Sequence, residues 1–212
     1  MSEQNSEKPW DEFKWERFLQ EQERRTEKYM ELNDQYRDHP NRDEIIAKEM
    51  GWQHLIGGES RDWDEAVDAA FDEQDDAGQD TSLHGFERNP IYMKALAFNG
   101  RIDDLYDSLD EKTREHPAMI SLENHVTVAT SKLAAALNDD YVEELGMSIA
   151  YIKRSLASLN LALDAALNLM EGGFVNEETF VQLRTGIFDI RDDVVATVGA
   201  YRAEFRRRNG GR

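Results

Sequence analysis

Leu145, Ile149, Ile152, Leu156, Leu159, Leu163, Ala166 and Met170 follow one another in alternating steps of four and three. That spacing lines apolar side chains along one side of a helix. It predicts a helix over about 140–171, stopped at Gly172-Gly173, where a residue without a Cβ can take the left-handed conformation that ends a helix. Asn176 is then the expected cap of a last helix running to about Arg208. Glu177 and Glu178 sit in its first turn, and Phe180, Leu183, Ile187, Ile190, Val194, Val198, Tyr201 and Phe205 face inward. Two shorter helices precede these. Asn89-Pro90 opens one to about 110, with Ile91, Ala95, Phe98, Ile102, Leu105 and Leu109 as its seam. Pro117 opens the next, to about 137, with Met119, Leu122, Val126, Ala129, Leu133 and Ala136. No alternating run reaches strand length, so no strand is expected.

The N-terminal part is patterned less cleanly. Trp15, Phe18, Gln22, Arg25, Tyr29, Leu32 and Tyr36 mark a helix from Pro9 to Arg37 whose seam Gln22 and Arg25 interrupt. A second helix is expected over about 41–56, ending at Gly57-Gly58, and a third over about 62–74 with Trp63, Val67, Ala70 and Phe71 inside. Then comes DEQDDAGQDTSLHG, acidic and broken by glycine, which reads as a linker. Because the connections are short, successive helices become antiparallel neighbours. The expected fold is all-α: an up-down four-helix bundle of long heptad-patterned helices over 89–212, a linker at 76–88, and three additional N-terminal helices in 1–75 packed on the bundle.

Charge narrows the partners. With 44 acidic against 25 basic residues the net charge is −19, a field that repels phosphates and anionic lipid. Nucleic acid and membrane surfaces are therefore not expected partners; a basic or helical protein, a divalent cation or plain solubility fits better. Acidic surfaces poor in lysine also occur in salt-adapted proteins. The absence of cysteine removes disulfides, thiolate metal sites and a cysteine nucleophile. The N-terminus lacks an apolar signal core, and the most apolar stretch, 156–170, carries Asn160, Asp164 and Asn168; a cytoplasmic protein is expected.

Candidate chemistry is sparse. DDLYD at 103–107 matches the magnesium-binding DDxxD string of isoprenoid synthases. At ~100° per residue, however, Asp103 and Asp107 point away from the side carrying Phe98, Ile102, Leu105 and Leu109. A solvated helix face accounts for them. No Glu-x-x-His occurs, so the ligand pattern of di-iron bundles is missing. The linker fails as a calcium loop, because His84 falls where a bidentate Glu is required. One mixed cluster remains as a metal candidate: His54, Glu59, Asp62, Glu65 and Asp68, near Trp52 and Trp63. It would suit a divalent cation (Mg, Mn or Zn) and metal-dependent hydrolysis, the competing functional class. His39 and His116 precede prolines in a turn context, and His125 lies at the edge of its helix's apolar stripe. Arg206, Arg207 and Arg208 complement the C-terminal end of the last helix.

The most informative feature is a second apolar stripe. Val181, Phe188 and Val195 recur every seven residues on the last helix, away from its seam; Met147 and Leu161 do the same on the preceding one, with Arg154 between them. Such a face calls for a cover, either the N-terminal helices or a second copy of the chain. The expectation is a non-enzymatic helical scaffold or interaction module without a cofactor, forming a homodimer through these five residues.

Overall fold

The computed structural model describes residues 9–53, 85–138 and 144–210, and among these it is helical with no strand. The α-helices are α1 (Glu12–Gln35), α2 (Arg42–Met50), α3 (Pro90–Ser108), α4 (Glu111–Arg114), α5 (Pro117–Ala136), α6 (Leu145–Glu171) and α7 (Glu177–Asn209), with a 3-10 turn at Gly85–Arg88. None is long and apolar enough to cross a membrane. The chain forms two compact units, one of Met1–Glu16 with Leu83–Arg212, the other of Arg17–Ser82.

In the larger unit, α5 packs on α6, α6 on α7, and α3 on both α5 and α7. Phe98 and Ile102 from α3, Met119, Leu122, Val126 and Leu133 from α5, Ile152, Leu159 and Leu169 from α6, and Ile187, Ile190 and Val194 from α7 share one buried core. Each large side chain so buried contributes roughly 1.5–3 kcal/mol before the entropy of ordering the chain is subtracted. Caps fix where these helices begin. Asn89 accepts the Ile91 amide at 3.0 Å and Asn176 the Thr179 amide at 2.8 Å, as their positions foretold. Pro90 and Pro117 stand at the first helical position. Pro9 and Pro40 do not: α1 begins at Glu12 and α2 at Arg42. His116 accepts the Ala118 amide at 3.2 Å and stacks on Phe174, while His39 accepts the Asn41 amide at 3.1 Å.

The glycine pair after α6 ends it as expected, with Gly173 (φ 73) the left-handed residue. Two expectations change. The second helix ends at Met50, because Gly51 already takes the left-handed conformation (φ 76) and turns its amide onto Ala47 and Lys48. The inward face of α6 is also rotated from the seam of large residues. Ser155 and Ala162 are fully buried, whereas Leu156 and Leu163 are only partly buried. Small side chains let α5 and α6 approach closely enough for the Ser155 hydroxyl to donate across to the Ala129 carbonyl at 2.9 Å. The smaller unit's described part holds the remainder of α1 and α2, joined by Lys28 donating to the Glu49 carbonyl at 2.5 Å and by Tyr29 beside Trp52. The expected third helix at 62–74 lies outside the described residues.

Candidate functional site

The outer surface of the α6–α7 pair carries what the sequence singled out, and the structure divides it into a filled part and an open part. In the filled part, residues 10–16 lie on the beginning of α6 and the end of α7. Asp11 caps α1, its carboxylate accepting the amides of Phe13 and Lys14 at 3.1 and 2.9 Å. This orients Glu12 and Glu16, one turn apart on the same side of the helix. Arg202 donates to both oxygens of Glu12 at 2.9 and 2.6 Å, and Lys153 lies 3.5 Å from the same carboxylate. Arg154 makes a second forked pair with Glu16, both bonds 3.1 Å. The Lys153 ammonium also sits 5.1 Å above the Phe13 ring.

Glycine makes this approach possible. A Cβ on Gly146 would fall inside van der Waals range of the Trp10 carbonyl oxygen and within 3.1 Å of the Asp11 carbonyl carbon. Every residue from Leu145 to Ala150 is buried. Burial also sets the chemistry of Glu12, whose side chain is only 8% exposed. The hydrogen bond from Arg202 holds its carboxyl below the ordinary glutamate range; desolvation opposes this, and the charge of Lys153 reinforces it.

In the open part, Leu161, Val181, Phe188 and Val195 are 49%, 39%, 41% and 55% exposed. Met147 corrects the expectation. At 7% exposure it belongs to the buried start of α6 and not to an open face. Arg191 lies with its guanidinium carbon 5.0 Å from the Phe188 ring centroid, and its buried Nε has no hydrogen-bond partner among the described residues.

Asp103, Asp104 and Asp107 are exposed, as a solvated face requires. Among the described residues no group of three His, Asp or Glu side chains is placed to hold a metal. His54, Glu59, Asp62, Glu65 and Asp68, and His84 in the linker, lie outside the described residues. His125 is half-buried at the edge of the α5 stripe. Of the C-terminal arginines, Arg207 and Arg208 both grip Glu204, which they hold down to about 2. Lys94 of α3 is paired with Asp193 and with Asp189 of α7, which ties those helices together at the surface.

Reading for large apolar residues and catalytic patterns missed Glu12, Glu16, Lys153 and Arg202. The available signals were weak: an i, i+4 glutamate pair beside aromatic residues, Arg154 inside an apolar stripe, and a glycine at the start of an otherwise well-formed helix. Protein-family models, curated proteins and solved structures return no match to this chain.

Proposed function

We propose that the protein is a non-enzymatic helical interaction module, an up-down bundle of coiled-coil-like helices whose α6–α7 face binds a second copy of the chain in a cytoplasmic setting. The observation that carries this reading is the stripe of Val181, Phe188 and Val195, three large apolar side chains left exposed at seven-residue intervals on α7, with Leu161 of α6 exposed as well. The interior supports it. The shared core of the four helices is apolar, and its buried polar groups are hydroxyls such as Ser155 and Thr130, whose hydrogen bonds are internal. Residues 10–16 support it too, because they show that the same pair of helices already accepts a helical segment.

Sedimentation velocity on the wild type and on Phe188→Glu tests the reading. A wild-type dimer that dissociates on this substitution, with the helical circular dichroism retained, is expected. A variant that sediments like the wild type at every concentration removes the stripe from any role in assembly.

A further inference from the structure

The stripe has two unlike edges, and these bear on how two copies meet. Taking Phe188 as the centre and ~100° per residue, Val181 and Val195 fall within about 20° of it. Arg184 and Arg191 lie on one edge; Asp192 lies on the other, with Thr185 and Asp189 farther round. Two helices facing each other antiparallel about a twofold axis bring like edges together, so Arg184 would meet Arg191 of the other copy. Two parallel helices bring unlike edges together at the same height, so Arg191 meets Asp192 of the other copy while the three apolar residues each meet their own counterpart. Like charges across such a seam are unfavourable and opposite charges favourable, as at the flanking positions of coiled coils.

We propose that two copies pair with their α7 helices parallel, about a twofold axis along the helix direction, through homotypic contacts of Val181, Phe188 and Val195 and reciprocal Arg191–Asp192 pairs. This rests on the self-association proposed above and adds to it a direction and a charge code. The occupant is a second copy of this chain because one surface supplies both halves of the code.

The cysteine-free sequence allows a direct test on the full chain. Val181→Cys and Val195→Cys are made separately, their masses in solution are measured under reducing conditions, and each is then oxidised alone and as a mixture of two differently tagged proteins. Parallel pairing gives a dimer mass and same-site disulfides in each variant alone, with little mixed product. A dimer that cross-links only between position 181 of one copy and position 195 of the other overturns the proposal and leaves self-association standing. A monomer mass for both variants and for the wild type overturns self-association as well. The charge code has its own readout. Arg191→Asp and Asp192→Arg should each raise the dimer dissociation constant about tenfold, and the double exchange should restore most of it. Failure of the double variant to recover, with its fold intact by circular dichroism, refutes the Arg191–Asp192 pairing.

Discussion

Gly146 and Gly199 both lie within helices, and the same substitution at each should have opposite consequences. A Cβ at Gly199 meets nothing within 4 Å. Gly199→Ala should therefore show the ordinary gain of an alanine in a helix, roughly 0.5–1 kcal/mol, which is ~1–4 °C in melting temperature for a chain of this size. At Gly146 the same gain is set against the Trp10 carbonyl, a backbone atom that cannot rotate out of the way. The segment must shift, and the forked bonds of Arg202 to Glu12 are lost with the shift. Hydrogen bonds to a charged group contribute ~1.5–3 kcal/mol when well buried. Arg202 is 43% exposed, so solvent screening reduces that figure. A contribution of about 1–2 kcal/mol for the docked segment is reasonable, enough to cancel the helix gain or exceed it. Matched thermal melts and hydrogen exchange at residues 9–16 read both effects. Gly146→Ala should not raise the melting temperature, and should speed exchange in that segment roughly 5- to 30-fold. If Gly146→Ala stabilises as much as Gly199→Ala and leaves that exchange unchanged, the docking of residues 10–16 as described here is wrong.

Other outcomes follow from the same contacts. Because the folded state depresses the Glu12 pKa, its contribution is complete above the ordinary glutamate value of 4.5 and is lost as pH falls through the lower folded value. Exchange at residues 10–16 should then accelerate in the wild type as the pH falls below the ordinary glutamate value of 4.5, and be fast and nearly pH-independent after intrinsic correction in Glu12→Gln. Ala162→Leu should cost about 1–3 kcal/mol or more in urea melts, because the α5–α6 contact has no room for it. Leu161→Ala, one residue away but about half exposed, should change folding stability by less than about 0.5 kcal/mol. The Glu16–Arg154 pair, with side chains 27% and 14% exposed, should show a coupling of roughly 1 kcal/mol in a double-mutant cycle.

Local signals in the sequence located most of the described helices. Asn89, Asn176 and the glycines after α6 mark ends because caps act within a turn, and a turn can be read from the sequence. The face that α6 turns inward was harder to find. Apolar periodicity weights large residues, so it favoured Leu156 and Leu163, whereas close helix packing selects for small ones and buried Ser155 and Ala162 instead. Leu19 makes the same point: at 9% exposure it is the most buried apolar residue of α1, although the heptad reading passed it over for Trp15 and Phe18. The filled half of the α6–α7 face depends on contacts such as Glu12 with Arg202, 190 residues apart. No periodicity encodes a contact of that kind. The open half was legible because Phe188 and its neighbours are large, regularly spaced and on the wrong side of their helix.

The most direct test of the interaction-module reading is the light-scattering mass of the unmodified chain, eluted over a hundredfold range of loading concentration. The account predicts a species of twice the 24.5 kDa chain mass at the upper concentrations, giving way to the single chain on dilution. A constant 24.5 kDa across the whole range would contradict it.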